Sequence, residues 1–547
     1  GLVMRKQTRR RLAALALSAA LLGAALPLSA QAATFRDVPA GAWYADAVYD
    51  LSYRDILQGT SSTTFSPGEK LTRGAFALMM ARTVLTASEL AQYQYRGSFS
   101  DVPASHWANA AVNWASEAGV VQGVGGGRFQ PDQPLSRQDM AVMVVNFANA
   151  MGRDMPGLVD SASFRDSGQI AAYAKNSVAA CQRSGVIDGY EDGTYRPNGT
   201  ATRAEAAALY SRFLENCPAG EFTILRKRVN SVPVRAVEFD PYTLTAGLAL
   251  GGDRVKGAES PTSLVQRTGA KVAVNAAFFN MNSYLPIGTL ISEGRVLTSD
   301  NTYAPAKSAF VMDSVGNFSI KNFSTLHTAT LHKGDGTTSV IESIVVNRQP
   351  SSAADAARIL FTRDWGSTLG FPARDAIVVD STGTITQVAH YQDVAIPQGG
   401  YVLAQRSRRQ YEGDFFDSCQ VGLTVDMARE YRGADRDDLV LSIGAGPRIV
   451  KDGAVYGDAS TYRAEGFGDA AFTSYNAVRA AIGIQADGSL LILTANTSLP
   501  KLSQIMVSLG CVDAINFDGG GSTNLYVDGQ WLYGPQERLL NTLLYFK

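Results

Sequence analysis

The sequence predicts a multidomain protein in which a helical module precedes a domain of mixed α and β structure. The chain has 547 residues, which suggests three or four domains of roughly 150 residues each. Three similar segments open at residues 35, 99 and 164, and apolar residues within them recur with a helical period. After residue 220 the pattern changes to strand-like apolar runs separated by turn residues.

Composition limits the classes of function. Hydrophobic residues make up 46% of the chain and charged residues 18%, which excludes a strongly charged disordered chain. Since 49 Lys and Arg nearly balance 50 Asp and Glu, the chain offers no general attraction for nucleic acid, and any anion site is local. C-x-x-C, H-E-x-x-H and G-x-S-x-G patterns are missing from the sequence, so zinc-ribbon, redox, zinc-protease and serine-hydrolase chemistry is not expected. We assign no metal ligands and no cofactor.

Residues 1–32 have the pattern of an export signal. A basic stretch precedes the apolar run Leu12 to Leu28, and Ala30-Gln31-Ala32 provides a small-x-small cleavage site. The other interpretation is a membrane anchor, but the run contains Pro27 and is shorter than the roughly 20 residues that span a bilayer. We therefore expect a secreted protein with no membrane span after signal cleavage.

The four cysteines leave two states open. In an exported chain, an even number is compatible with disulfides, and pairing within domains is the simplest arrangement. This arrangement joins Cys181 with Cys217 and Cys419 with Cys511. The alternative is four buried free thiols, which behave as small apolar residues.

Each repeat carries the same landmarks in the same order. The openings are Phe35-Arg36-Asp37, Phe99-Ser100-Asp101 and Phe164-Arg165-Asp166. An aromatic residue follows each opening, at Trp43, Trp107 and Tyr173. An aromatic-x-Pro turn and then a hydroxyl-Arg pair come next, the pairs being Thr72-Arg73, Ser136-Arg137 and Thr202-Arg203. Because the hydroxyl can cap the first turn of a second helix, each repeat is predicted to be helix, loop, helix.

These repeats resemble the S-layer homology domain, in a set of three over residues 33–94, 95–158 and 159–217. The resemblance implies an all-α pseudo-threefold module at the bacterial cell surface, in the cell wall or S-layer. It also implies binding to secondary cell-wall polysaccharide, often pyruvylated, through a Thr-Arg-Ala-Glu motif. The motif is intact from Thr202 to Glu205, the second repeat keeps its acid at Asp139, and the first has Ala75 there.

The candidate ligands of that polysaccharide are Arg73, Arg137, Arg203 and Glu205. A guanidinium offers paired donors to a ketal carboxylate, and a helix N-terminus favours the same anion. The alternative is that each Arg only bridges neighbouring helices. Because Ala75 replaces the acid, we expect repeat one to contribute the empty groove.

A second domain is predicted over residues 222–547, after Cys217-Pro218-Ala219-Gly220 breaks the last helix. The clearest helix is Leu502 to Leu509, with its apolar residues on one face before Gly510. Seven strand-like runs dominate: 271–279, 376–380, 439–443, 480–485, 490–493, 514–517 and 524–527. We expect a mixed α/β (α+β) domain with one large core.

A glycine-rich turn is the most informative segment of this domain. A buried strand delivers Asp518 at its carboxyl end, and Gly519, Gly520 and Gly521 follow before Ser522. Glycines permit backbone conformations closed to other residues and let a ligand approach the N–H groups. A tight β-turn capped by the Asp is the structural alternative.

Four motifs in order resemble the phosphodiester glycosidase family, which includes N-acetylglucosamine-1-phosphodiester α-N-acetylglucosaminidase. They are Val272 to Asn280 with Pro286-Ile287-Gly288, Gly444 to Gly453, Arg479 to Gly483, and the glycine turn. The resemblance covers residues 222–547 and implies hydrolysis of a sugar linked through its anomeric carbon to phosphate. Departures from the family pattern at Ala276, Ala480 and Ala495-Asn496-Thr497 concern activity more than fold.

This chemistry requires a carboxylate and groups that stabilise the departing phosphate. We predict Asp518 as base or nucleophile, Glu465 as a second carboxylate, and Arg479 with Arg538 as phosphate clamps. The backbone of Gly519, Gly520, Gly521 and Ser522 would bind the phosphate. Sugar hydroxyls would be oriented by Asn275, Asn516 and Asn541. The alternatives are an ion-pair role for Arg479 and turn formation by the Asn residues.

Together these features predict an exported, wall-anchored glycosidase acting on glycan phosphodiesters. The predicted partners are cell-wall polysaccharide and a sugar-phosphodiester substrate. Two other classes stay open: a non-catalytic glycan-binding or matrix-assembly protein of the same fold, and a structural S-layer subunit.

Overall fold

The computed structural model describes residues 34–299, 307–409 and 414–547. The predicted export signal at residues 1–32 lies outside the described residues. Within the described ranges, no helix is long and apolar enough to cross a bilayer. The chain divides into two compact units, one of the described residues up to 148 with 155–218, the other of residues 149–154 with 219–547.

The amino-terminal unit contains two main helices in each repeat. The helices are α1 (Ala45–Tyr53), α2 (Arg73–Val84), α3 (Ala87–Ala91), α4 (Asn109–Glu117), α5 (Arg137–Met151), α6 (Lys175–Arg183) and α7 (Arg203–Asn216). The first helix of each repeat has 9 residues, and the second has 12, 15 and 14 in turn. The predicted caps form at Thr72 and Thr202, whose hydroxyls accept the N–H groups of Ala75 and Glu205.

The prediction that this module is all-α is wrong. Extended segments before the second helices of the three repeats pair with one another through isolated β-bridges. Leu71 donates its N–H to the carbonyl of Ala201 (3.0 Å), Ala201 to Leu135 (3.2 Å) and Leu135 to Leu71 (2.9 Å). Buried peptide groups need partners, and these residues lie outside the helices, so they find partners in the next repeat. The result is a closed hydrogen-bonded ring with threefold pseudosymmetry.

The aspartate of each opening motif holds the aromatic-x-Pro turn of its own repeat. Asp37 accepts the N–H groups of Phe65 and Ser66, both at 2.8 Å. Asp101 and Asp166 bind the corresponding turns in the same way. The middle residue of each turn has positive φ although it is not glycine, +57° at Ser66 for example. Two charge-assisted hydrogen bonds offset that conformational cost.

The carboxyl-terminal unit is rich in β-structure. Its strands are β1 (Thr223–Val229), β2 (Val232–Phe239), β3 (Ala246–Leu250), β4 (Val272–Asn275), β5 (Leu290–Ser292), β6 (Arg295–Thr298), β7 (Lys307–Asp313), β8 (Phe318–His332), β9 (Thr338–Val346), β10 (Arg358–Phe361), β11 (Asp375–Val379), β12 (Ile385–Ala389), β13 (Tyr401–Gln405), β14 (Thr424–Arg432), β15 (Leu439–Gly444), β16 (Arg448–Lys451), β17 (Ala454–Val455), β18 (Ala477–Gln485), β19 (Leu490–Thr497), β20 (Cys511–Phe517), β21 (Leu525–Val527), β22 (Gln530–Tyr533) and β23 (Thr542–Phe546). Its helices are α8 (Pro261–Thr268), α9 (Asp414–Ser418), α10 (Ala459–Ala464), α11 (Ala470–Thr473) and α12 (Leu499–Ser508).

The described strands form three sheets. One sheet has the order β1-β2-β19-β18-β20-β16-β17, and a smaller one has the order β22-β21-β4-β23-β3. The largest has the order β12-β11-β13-β10-β9-β8-β7-β15-β5-β6, with β14 paired to β8. The predicted helix at 502–509 corresponds to α12, which begins three residues earlier and ends at Ser508.

The expected mixed α/β (α+β) balance is therefore also wrong. The helices of this unit have 4 to 10 residues, so they cannot cover sheets of this size. The sheets cover one another instead, since Val237, Val274 and Phe310, one from each sheet, belong to a single buried cluster. Phe517 at the end of β20 lies in the same cluster, which fixes the strand end that precedes the glycine turn.

All four cysteines are buried free thiols in this structure. Burial raises the pKa of Cys181, Cys419 and Cys511 to about 12. Cys419 and Cys511 lie in different apolar clusters, so the pairing that the sequence suggested between them does not form.

Candidate functional site

The end of β20 and the end of β4 meet at Asp518. The Asp518 N–H donates to the carbonyl of Ala276 at 3.1 Å, and the Asn275 side-chain amide donates to the Asp518 carbonyl at 2.6 Å. The Asn275 Oδ1 atom accepts the N–H of Asn524 at 3.0 Å, on the far side of the turn. Asn275 is buried, so it braces the backbone of the glycine turn from inside.

Two glycines of the turn are required by close approach. A Cβ on Gly519 would lie 2.3 Å from the carbonyl oxygen of Val478, which is backbone and cannot yield. A Cβ on Gly521 would lie 2.6 Å from the guanidinium carbon of Arg538. The guanidinium therefore lies directly over the turn, in contact with the backbone that the sequence predicted to bind phosphate.

Asp518, Ser522 and Arg538 form a connected group. The carboxylate accepts the N–H of Gly519 at 2.9 Å and a hydrogen bond from the Ser522 side chain. Arg538 Nη1 lies 3.4 Å from Ser522 Oγ. Burial raises the pKa of Asp518 from 3.8 to about 6, although these hydrogen bonds and the charge of Arg538 act in the opposite direction. Such a carboxyl beside a cation is typical of a functional site.

Strand pairing places the backbone of Arg479 next to this group, but its guanidinium donates hydrogen bonds to backbone carbonyls. The β18 and β20 strands pair with Ala480 opposite Phe517, which brings the backbone of Arg479 beside the turn. The side chain is buried and donates to the carbonyls of Thr497 (3.1 Å), Tyr475 (2.8 Å) and Ala471. It therefore holds the short helix α11 against β19.

Glu465 is held at a second turn. Its two carboxylate oxygens accept the N–H groups of Ser308 (2.9 Å) and Arg448 (3.1 Å). Burial raises the pKa of Glu465 above its usual value. Asn516, two residues before Asp518, reaches the same region because its amide donates to the carbonyl of Gly446 at 3.0 Å.

The two remaining asparagines have different environments. Asn516 is 1% exposed, and its Oδ1 atom has no hydrogen-bond partner among the described residues. The Oδ1 atom of Asn541 likewise has no partner among the described residues. The side-chain amide of Asn541 donates to the carbonyls of Val255 (2.8 Å) and Gly257 (2.9 Å), so it braces a loop that is separate from the turn.

Sequence reasoning missed Gln536. Its side chain donates to the carbonyls of Gly520 (3.0 Å) and Thr523 (2.8 Å), and its N–H donates to the Asn524 Oδ1 atom at 2.8 Å. Gln536 reaches the turn because the β21–β22 hairpin folds back on it, and no local spacing in the sequence signals this.

The three arginines of the amino-terminal unit occupy equivalent positions. Each guanidinium carbon lies over an aromatic ring of the next repeat, Arg73 over Phe129 (4.8 Å), Arg137 over Tyr190 (4.9 Å) and Arg203 over Phe65 (4.7 Å). Each arginine therefore contacts another repeat of the unit. By the pseudosymmetry of the repeats the arginines mark three corresponding positions, and the one at Arg137 lines a cavity.

We call each of these positions a groove and define it by three residues. They are the arginine of one repeat, the residue three positions after the capping Ser or Thr of the next repeat, and an exposed aromatic residue of the remaining repeat. Groove A has Arg73, Asp139 and Tyr173; groove B has Arg137, Glu205 and Trp43; groove C has Arg203, Ala75 and Trp107. The three aromatic residues are 64%, 69% and 54% exposed in that order, which makes them available to a ligand.

Groove B contains a cavity of about 270 Å³ lined by its three residues and by Tyr190. Arg137 forms an ion pair with Glu205, and the Tyr190 hydroxyl lies 3.4 Å from the same carboxylate. The volume is slightly below the roughly 300 Å³ of the smallest usual ligand pockets. Tyr and Trp rings like those that line it offer both an apolar face and a polar group. Trp43, Tyr190 and Tyr173 were not predicted as ligands, although the first and last were recognised as repeat landmarks.

Comparison with known proteins identifies the classes of domain. Residues 34–77, 98–141 and 163–207 match the S-layer homology domain, and residues 386–547 match the phosphodiester glycosidase family. The chain therefore carries three S-layer homology domains followed by a phosphodiester glycosidase domain.

Curated relatives support a surface location. The chain is 31% identical over 182 residues to Exoglucanase XynX of Acetivibrio thermocellus, covering 33% of this chain and 16% of that protein. It is 28% identical over 221 residues to the Surface-layer 125 kDa protein of Lysinibacillus sphaericus, covering 40% of this chain and 18% of that protein. The chain thus spans less than a fifth of either relative. With the three S-layer homology domains, these relatives indicate a secreted cell-surface protein.

A solved structure shares the fold. The crystal structure of a hypothetical protein from Synechocystis has a TM-score of 0.51 and 22% identity, covering 59% of this chain and 61% of that one.

Proposed function

We propose that this protein is a cell-wall-anchored glycosidase that hydrolyses the bond between a sugar's anomeric carbon and phosphate. The observation that carries the proposal is the group of Asp518, Ser522 and Arg538 around the glycine turn. A carboxylate for the sugar carbon and a cation with turn backbone for the phosphate meet within one strand-end loop. The match to phosphodiester glycosidases supports this chemistry.

The reaction would divide between these groups. Asp518 acts as base toward water or as nucleophile toward the anomeric carbon, whose bond to the phosphate oxygen breaks through an oxocarbenium-like transition state. The leaving phosphate monoester is already a stable anion, so a strong general acid is less necessary. Arg538 and Ser522 stabilise the charge on that anion as the bond breaks.

The other predicted residues take revised roles in this proposal. Arg479 positions the turn through β18 and α11, because its donors are used by carbonyl groups. Asn275 braces the turn, and Asn541 supports a neighbouring loop. Asn516 keeps its proposed role toward a sugar hydroxyl, and its Oδ1 atom is buried without a partner among the described residues. Glu465 stays our proposed second carboxylate, held at the turn that Asn516 contacts.

A labelled-water assay tests the activity. The full chain is incubated with α-N-acetylglucosamine 1-(4-nitrophenyl phosphate) in H₂¹⁸O, and nitrophenyl phosphate is detected by coupled phosphatase release of nitrophenol. We expect ¹⁸O in the sugar, because water adds at the anomeric carbon. We also expect the rate to rise with pH through about 6, since Asp518 must be ionised. Label is read in the intact nitrophenyl phosphate, in a sample without phosphatase, because the phosphatase itself adds water oxygen to inorganic phosphate. Label in that nitrophenyl phosphate, or no turnover with this and other sugar 1-phosphodiesters, would contradict the proposal. Tight binding without turnover would indicate the non-catalytic alternative.

We also propose that the amino-terminal unit binds cell-wall polysaccharide through grooves A, B and C. The exposed aromatic residues, the arginines and the cavity in groove B support this role. The full chain should sediment with purified cell-wall sacculi. Sacculi stripped of their attached polysaccharide should not retain it, and equal retention by both would overturn the anchoring proposal.

A further inference from the structure

A second cavity, in the carboxyl-terminal unit, lies where β9 ends and β10 begins. Its volume is about 240 Å³, and its lining includes no residue of the glycine turn. Of the lining residues only Arg409 falls within residues 386–547, the segment that matches the phosphodiester glycosidase family. The cavity is therefore a feature of this chain that the family match does not assign.

The course of β9 leaves this opening. In the ladder that the structure describes between β9 and β10, pairing begins with Val345 opposite Ile359, so the earlier residues of β9 have no β10 residue beside them. Between two neighbouring positions paired with β8, β9 has one residue more than its partner, which is a β-bulge. Ser343 lies in that bulge with a φ of +60°, a conformation that is costly for a residue other than glycine. Bulges and strained residues of this kind are over-represented at functional sites.

The cavity combines an apolar surface with three cations. Val345 and Ile359 are buried members of an apolar cluster, and both line the cavity. Three arginines also line it, and they come from the β9–β10 connection, the first residue of β10 and the segment after β13: Arg348, Arg358 and Arg409. A ligand with a neutral ring and an anionic group matches this combination.

Two carboxylates line the cavity as well, so three guanidinium groups give the lining a net charge of +1. Both oxygens of Asp355 accept backbone N–H groups of its own loop, from Ser351 (2.8 Å) and Ala357 (2.9 Å). Asp355 therefore shapes the wall of the cavity. Glu342 is exposed, and its side chain can extend into solvent, while its backbone carbonyl accepts a hydrogen bond from Arg358 at 3.2 Å.

The cavity is connected to the glycine turn through the loop that follows β4. Arg348 donates to the carbonyls of Pro286 and Gly288, the latter at 2.9 Å. Pro286 pairs with Phe279, four residues after the end of β4, and the end of β4 holds Asp518. Backbone spacings limit the distance between the Arg348 guanidinium and the Asp518 backbone to about 30 Å. One extended glycan of several residues can therefore reach both places.

We propose that this cavity binds a phosphate group that the glycan carries at a residue other than the one being cleaved. Donors from three segments suit a tetrahedral phosphate, whose oxygens point in several directions, whereas a single carboxylate is satisfied by one guanidinium. Val345 and Ile359 would contact the sugar ring that bears the phosphate. A volume below roughly 300 Å³ limits the cavity to one such sugar. The inference rests on the proposed function and narrows its substrate to glycans with at least two phosphates.

Kinetics with substrates of two lengths test the assignment. The long substrate is an oligomer of α-N-acetylglucosamine joined through 1→6 phosphodiesters that spans about 30 Å. The short one is α-N-acetylglucosamine 1-(4-nitrophenyl phosphate), and released N-acetylglucosamine is measured for both. Arg409→Gln removes a cation from an exposed position. It should raise KM for the oligomer roughly tenfold with kcat unchanged, since a charge-assisted hydrogen bond is worth about that factor.

The readout is the ratio of kcat/KM for the oligomer to kcat/KM for the short substrate. This ratio should fall by the same factor in Arg409→Gln, and it does not depend on the fraction of folded protein. Arg432→Gln removes an exposed arginine of β14 that does not line the cavity, so it is the matched control and should leave the ratio unchanged.

Hydrogen–deuterium exchange of the full chain locates binding without requiring turnover. N-acetylglucosamine 6-phosphate in excess should slow exchange in peptides covering residues 342–349 and 355–361, whereas N-acetylglucosamine should not. Arg409→Gln should reduce this protection, and Arg432→Gln should keep it. Glucuronic acid, which has a similar ring with a carboxylate, should protect these peptides less than the phosphate does.

These measurements separate the inference from the proposed function. The inference would be overturned by absence of protection with N-acetylglucosamine 6-phosphate, by equal protection with glucuronic acid, or by an unchanged kinetic ratio in Arg409→Gln, even in an active enzyme. Failure to cleave any sugar 1-phosphodiester would instead overturn the proposed function, and phosphate-dependent protection at the cavity would still support its assignment as a phosphate site.

Discussion

Replacing Asp518 with Asn should stabilise the protein at the pH at which it removes activity. The substitution keeps the shape of the side chain and its ability to accept the Gly519 N–H, but it removes a carboxylate from a desolvated position. The pKa of Asp518 in the folded protein is about 6 against an ordinary value of 3.8. Because of that difference in pKa, ionised Asp518 lowers the free energy of unfolding by about 3 kcal/mol.

The size of this effect depends on pH. Below about pH 4 the carboxyl is protonated in folded and unfolded chains alike, so wild type and Asp518→Asn should be equally stable. As pH rises from about 4 to 6, the unfolded chain ionises first and wild-type stability falls. Above pH 6 the difference is complete, and at pH 8 the variant should be the more stable by up to about 3 kcal/mol.

Urea unfolding at pH 4 and pH 8 measures this difference. Pulsed hydrogen–deuterium labelling of the peptide covering β20 follows the carboxyl-terminal unit separately. Asp452→Asn, on an exposed turn, is the matched control and should change the free energy of unfolding by less than about 0.5 kcal/mol. If Asp518→Asn were less stable than wild type at pH 8, the carboxylate would not occupy a desolvated site, and its role in catalysis would lose its physical basis.

Two further substitutions test the proposed phosphate-binding turn and the arginine that supports it. Gly521→Ala should lower kcat/KM by roughly tenfold or more. The added Cβ would lie 2.6 Å from the guanidinium carbon of Arg538, so it displaces that guanidinium. Unchanged steady-state kinetics would argue against a phosphate role for Arg538. Arg479→Met should lower the free energy of unfolding by about 2–4 kcal/mol, since three carbonyls lose their donor. Thermal unfolding measures that loss, and an unchanged Tm would show that Arg479 is not structural.

The features that could be predicted from the sequence are those that depend on residues close together in the chain. The repeat landmarks, the caps at Thr72 and Thr202 and the strand that ends at Asp518 each depend on a few neighbouring residues. The S-layer homology and phosphodiester glycosidase resemblances are confirmed by the family matches.

Features that depend on distant partners were missed. The closed ring through Leu71, Leu135 and Ala201 joins three repeats, so no single repeat shows it. The β-rich carboxyl-terminal unit arises because its sheets cover one another, and strand runs alone do not show what covers them. The hydrogen bonds from Arg479 to three carbonyls on other segments were likewise not visible in its local motif.

The closed ring also constrains how the amino-terminal unit can change during evolution. In an open array of repeats, one copy can be gained or lost at an end and the remaining interfaces survive. Here each copy contacts both of the others, and deleting one leaves one buried N–H and one buried carbonyl of the ring without partners. Recombination that preserves folding must therefore transfer the three copies together, while each copy stays free to alter its own surface side chains.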